Sequence, residues 1–146
     1  MINSPTGIVK GDVGLGNVDN TSDATKNSAT ATLSNKQVQF SVSTDATVTG
    51  ASATASAFTS GVIRLTNASL TSLAGIPAGS AGQFLIVENK TGASININNE
   101  DTGATAADRI QTGTAANAPM ANNATMAFTY DATSSRWQLT GGAGGG

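Results

Sequence analysis

The chain has 146 residues, 38% of them hydrophobic and only 4% aromatic, with seven basic and nine acidic side chains giving a net charge of -2. It contains no cysteine and no histidine, which excludes disulfides, deprives zinc of its usual ligands and removes the common nucleophile–base pairs of catalysis. The basic residues are scattered from Lys10 to Arg136 and no run approaches the roughly 18 apolar residues of a membrane span, so nucleic-acid binding and a membrane helix are both disfavoured.

A mass of 14.4 kDa suits one compact domain, or a small domain with a connecting segment. Much of the hydrophobic content is alanine, and large apolar side chains are few. At roughly 25 cal/mol per Å2 of apolar surface buried, a monomer of this composition has a thin core. With disulfides excluded and zinc deprived of ligands, oligomerisation is the remaining route to stability. The start of the chain, Met1-Ile2-Asn3-Ser4-Pro5-Thr6, lacks the basic flank and apolar core of a secretory signal.

In chain order, residues 1–36 read as a connecting segment. Gly7, Gly11, Gly14 and Gly16 punctuate it, and Asn20-Thr21-Ser22-Asp23 offers capping oxygens for a short helix over 24–36. From Gln37 the period changes to two. Val38, Phe40 and Val42 alternate with polar residues, as in a half-buried strand, and Thr47-Val48-Thr49 continues or pairs with it. Val62-Ile63-Arg64-Leu65 reads as a strand, and Gly75 to Gly82 as a loop. Phe84-Leu85-Ile86-Val87 suits a strand covered on both faces. A turn at Lys90-Thr91-Gly92-Ala93 leads to Ile95 and Ile97, so Phe84 to Ile97 is expected to be a hairpin.

Asn98 to Ala107 reads as a polar loop and Arg109-Ile110-Gln111 as a short strand. Met126, Phe128 and Tyr130 alternate into a turn at 131–135, and Trp137 and Leu139 alternate back toward the same core. Gly141 to Gly146 reads as a flexible linker. Short strands with frequent turn signals, and no helix long enough for a βαβ crossover, predict an all-β antiparallel β-sandwich or barrel over 37–140.

The segment Lys10 to Lys26 resembles a linking motif of bacteriophage tail fibres, with Val13-Gly14-Leu15-Gly16-Asn17-Val18-Asp19-Asn20-Thr21-Ser22-Asp23 matching it at every position. Val62 to Gly146 is similar to a module of phage fibre and appendage proteins. The pieces that carry the likeness are Leu65-Thr66-Asn67-Ala68-Ser69-Leu70, Ile95-Asn96-Ile97-Asn98-Asn99, Tyr130-Asp131 with Arg136-Trp137, and the glycine-rich end. The resemblance implies a homotrimeric, β-rich fibre component exposed on the virion, joined to other tail or fibre proteins and concerned with host attachment. The alternative is a receptor-binding tip that takes a host cell-surface glycan. A segment of a bacterial surface adhesin is a third reading. The resemblance supplies no catalytic residues.

The residues themselves support no cofactor, metal or catalytic site. Gly14-Leu15-Gly16-Asn17-Val18-Asp19 lacks both the third glycine of a dinucleotide fingerprint and the Gly-Lys-Ser/Thr ending of a P-loop. Asn98, Asn99, Glu100, Asp101 and Asp108 are the one dense set of oxygen ligands, but their spacing is not that of a calcium loop, and a solvated turn is the expectation. Glu88, Glu100 and Asp101 are the acids in the middle of the domain, too few to favour a paired-carboxylate glycosidase. Trp137 and Tyr130 could stack on sugar rings, yet their alternating positions point to the core. Asn20, Asn67, Asn89 and Asn123 begin glycosylation-type triplets, as an Asn- and Thr-rich chain throws up by chance.

Overall fold

Ten strands form two sheets in a computed structural model that describes residues 37–142. The strands are β1 (Val42–Asp45), β2 (Ala53–Thr54), β3 (Val62–Leu65), β4 (Ser72–Gly75), β5 (Phe84–Asn89), β6 (Ile95–Ile97), β7 (Ile110–Gln111), β8 (Ala118–Met120), β9 (Thr125–Asp131) and β10 (Arg136–Gly141). A six-stranded sheet runs in the order β1-β3-β5-β9-β10-β7, and a four-stranded sheet in the order β2-β4-β6-β8.

Successive strands alternate between the sheets. The chain lays β1 in the first, β2 in the second, β3 beside β1, β4 beside β2, and so on through β6. Each return is parallel: Val42 pairs with Val62 and Val62 with Ile86 in one sheet, while Ala53 pairs with Leu73 and Leu73 with Ile97 in the other. The result is a solenoid-like stack. Its far end is closed by antiparallel strands, β8 on β6, β9 on β5, and β10 on β9.

The all-β expectation holds, and its antiparallel refinement does not. Among the described residues β1–β3, β3–β5, β2–β4, β4–β6 and β7–β10 are all parallel. A parallel return needs a crossover, and a helix usually supplies it. Here a strand of the opposite sheet does so instead, which is why the lack of a crossover helix was no bar. The expected Phe84–Ile97 hairpin is likewise absent, since β5 pairs with β3 and β9 while β6 pairs with β4 and β8. Asn89 decides this turn. Its side-chain amide donates to the carbonyls of Ala93, Met120 and Ala121 at 2.8–3.0 Å, and its Oδ1 accepts from the Thr91 amide and hydroxyl. Fully buried, it sends the chain across to the other sheet.

The core lies between the sheets. Ile63, Leu65, Leu85, Val87, Met126, Phe128, Tyr130 and Trp137 point in from the larger sheet, and Leu73, Ile95, Ile97, Ala118 and Met120 pack from the smaller one. Every other residue along β5 and β9 is buried, the signature of strands with one face inward. β4 was not foreseen. Ser72-Leu73-Ala74-Gly75 is buried throughout, so it shows no alternation, and Gly75 lets the 104–108 loop lie directly over it. A Cβ at Gly75 would fall 2.8 Å from both the Ala104 methyl and the Asp108 carbonyl oxygen. β8 was also unforeseen; Pro119 is tolerated there because β8 is an edge strand.

The β9–β10 hairpin forms as expected, with Tyr130 opposite Trp137 and Phe128 opposite Leu139. Asp131 shapes its turn by accepting from the Thr133 amide at 2.9 Å and the Ser134 hydroxyl at 2.7 Å. β10 ends at Gly141, so the first glycine of the expected linker belongs to the sheet. The expected helix over 24–36, the motif at Val13–Asp23 and residues 143–146 lie outside the described residues.

Candidate functional site

Four places on the domain carry enough chemistry to weigh. The first is a cleft of about 200 Å3 at the start of the stack, lined by Ser43, Asp45, Thr47, Ser56 and Phe58 among others. Asp45 is its buried acid. Burial raises the Asp45 carboxyl, but hydrogen bonds outweigh it and hold the group below its ordinary value of 3.8. The Ser56 amide donates to one oxygen at 2.7 Å; the Thr47 amide and hydroxyl and the Val48 amide donate to the other at 3.0–3.3 Å. This carboxylate closes the loop between β1 and β2. With three donors on one oxygen and one on the other, all from its own loop, it acts as a clamp.

The second is a shallow groove of about 220 Å3 lined by Asn99, Glu100, Gln111, Gly113, Ala115 and Gln138. Glu100 sits at a positive φ of 48°, rare for a residue with a side chain. Its amide donates to the Ile110 carbonyl at 2.8 Å, and both its carboxylate oxygens accept from Arg136 Nε at 2.8 and 2.9 Å. Arg136 also donates to the carbonyls of Ala106 and Ser135, which ties the 98–108 loop to β10. Burial raises the Glu100 carboxyl, and the Arg136 hydrogen bond and charge more than reverse this, leaving it below the usual carboxylate range.

The third is the oxygen-rich set singled out from sequence, and the fold separates its members. Asp101 accepts from the Gly103 amide, the Ser52 hydroxyl and the Asn98 amide, in that order of influence on its lowered pKa. Asp108 accepts from the Ala78 amide at 2.8 Å and the Thr105 hydroxyl at 2.6 Å. Asn99 accepts from the Thr112 amide and hydroxyl. Each faces a different neighbour, and no three His, Cys, Asp or Glu side chains converge among the described residues. These polar groups pin a long loop. Glu88, on β5, is paired with Arg64 at 2.8 Å across the strands.

Trp137 and Tyr130 lie in the core. Trp137 is fully buried, packs edge-on to Tyr130 with ring centroids 5.2 Å apart, and donates from its indole nitrogen to the Pro77 carbonyl at 3.0 Å. The triplet asparagines are also structural. Asn89 is the buried lock described above, Asn67 donates to the Ala46 carbonyl, Asn123 accepts from Lys90, and Asn20 lies outside the described residues.

The fourth place overturns a sequence expectation. Val38, Phe40 and Val42 were expected on the covered side of a strand, but Val38 and Phe40 precede β1 and the three are 61%, 45% and 50% exposed. Phe84, expected to be covered, is 42% exposed and sits with its ring centroid 6.2 Å from that of Phe40. These four are the large exposed hydrophobic residues among the described residues. Only Val42 of the three lies in a strand, and residues 37–42 are exposed at both alternating sets of positions, so the expected half-buried strand does not form over this run.

No helix among the described residues is long and apolar enough to cross a membrane. Compared with protein-family models, curated proteins and solved structures, the chain matches none.

Proposed function

We propose that this protein is a structural component of a phage tail fibre or virion appendage, exposed on the particle, acting in host attachment as a homotrimer joined to other tail or fibre proteins. The observation that carries the reading is the run Val13 to Asp23, which matches the tail-fibre linking motif at every position. The domain that follows is consistent in kind. Its parallel coils bond each strand to the next turn of the chain, a design that holds without disulfides or metals. The scarcity of large apolar side chains favours subunit interfaces that bury what a single chain leaves exposed. The carboxylates are engaged as loop clamps, so no reaction is assigned to them.

A glycan-binding tip is less well supported, because Trp137 and Tyr130, the side chains best suited to stack on a sugar, serve the core. The deciding experiment is electron microscopy of virions from the phage that encodes this chain, labelled with an antibody against it. Label on the tail or an appendage is the expected outcome. Virions that bind no antibody, or bind it only on the head, would remove the reading.

A further inference from the structure

We infer that the outward apolar end of the six-stranded sheet, built from Phe40, Val42 and Phe84 around Val62 and Ile86, is the surface through which copies of this chain associate. The inference rests on the homotrimer reading above and gives it a location.

Strand register defines the face. Val42, Val62, Ile86 and Ala127 are successive partners across β1, β3, β5 and β9. Their neighbours Ile63, Val87 and Met126 enter the core, so alternation places the first row on the opposite face. Phe84 precedes Ile86 by two residues and Phe40 precedes Val42 by two, which brings both rings to that face. The larger sheet is therefore apolar on both sides at this end. One side is covered by the smaller sheet. On the other, Phe40, Val42 and Phe84 are 45%, 50% and 42% exposed.

The rings are held rather than loose. A Cβ on Gly61 would lie 2.5 Å from Phe40 Cδ1, so the glycine at the start of β3 provides the seat on which this ring rests. Val62, the next residue, is only 8% exposed. Side chains already fixed lose little rotamer freedom when they are covered, which favours association.

The charge pattern selects the occupant. Residues 37–44 and 79–87 contain no Asp, Glu, Lys or Arg. The outward row beyond them carries Arg64 and Glu88, already paired with each other at 2.8 Å. A partner that reads charge finds none here, whereas identical copies can meet at a neutral surface without like-charge repulsion. β1 adds to this. It is an edge strand with a bonded neighbour on one side only among the described residues, and its outward side chains are not the charges or prolines that usually guard such edges.

The test uses the full chain at micromolar concentration with mass read by light scattering. The wild type is expected at three times 14.4 kDa. The double variant Phe40→Gln with Phe84→Gln is expected at the mass of one chain with an unchanged circular dichroism spectrum. Arg64→Ser, one row away on the same face, should keep the wild-type mass. A trimeric wild type whose double variant is also trimeric overturns this surface and leaves the homotrimer standing; a wild type of single-chain mass overturns both. Should the double variant fail to fold, Phe84→Cys in this cysteine-free chain serves instead. A short bifunctional maleimide should then yield covalent oligomers on a denaturing gel, and their absence from a trimeric sample overturns the assignment.

Discussion

The two ends of the stack are held by different physics. At the closing end, β9 and β10 bring Phe128, Tyr130 and Trp137 together, with Tyr130 edge-on to the indole. At the opening end, β1 and the loop to β2 bury little more than Val48 and Ala55, and a single carboxylate, Asp45, gathers the donors of Thr47, Val48 and Ser56. Apolar packing is non-directional and tolerates acid, whereas a carboxylate clamp is directional and fails when protonated. Asn89 lies at the junction and belongs to neither style, since it is a neutral amide bonding three carbonyls inside the core.

Three changes would test this contrast, each read as the shift in urea-unfolding free energy at fixed protein concentration. The largest effect is expected at the closing end. Trp137→Ala should cost about 4 kcal/mol through the cavity it leaves beside Tyr130, and a loss below about 1 kcal/mol would show that the aromatic cluster does not hold this end. Asn89→Ala comes next, at about 3 kcal/mol, because the carbonyls of Ala93, Met120 and Ala121 lose their donor. A neutral result there would mean that water replaces the amide.

The smallest is Asp45→Asn, about 2 kcal/mol at neutral pH, because an amide nitrogen would then face either the Ser56 or the Thr47 N–H. This variant also separates the two ends by pH. The folded Asp45 pKa is below its ordinary value of 3.8, so its contribution is present above that value and is lost as pH falls through the folded pKa. The gap between wild type and Asp45→Asn should therefore narrow below pH 3.8, whereas the Trp137→Ala gap should not follow the Asp45 titration. Equal narrowing for both would refute the division.

Much of the closing end was legible in the sequence because its strands alternate strongly and its hairpin is local. Met126, Phe128 and Tyr130 leave little choice of face, and Trp137 follows within one turn. The coils were harder to read. β2 is two residues long, β4 is buried on both sides and carries glycine, and β8 contains proline, so each lacks the pattern that announces a strand. The parallel pairing is a long-range property, set by crossovers that no local window contains. The same holds at the candidate surface. Period two put Val38, Phe40 and Val42 on a half-buried strand, but only Val42 joins one, and its face becomes known only when β3 is seen to put Ile63 inward and Val62 outward.

The placement of Pro119 has a consequence for growth. In the larger sheet the edge strand opposite β1 is β7, only two residues long; in the smaller sheet the edge opposite β2 is β8, which carries a proline at its centre with no N–H to offer. A stack with two open edges could add copy after copy, head to tail, without a natural stopping point. Among the described residues this one is polar, with β1 unpaired on one side at the front and a blunted back, so strand addition at the back lacks a donor. On the association proposed above, copies would meet through the β1 end and not in the head-to-tail series that builds a filament. Pro119 thus withholds the donor that head-to-tail growth through β8 would require.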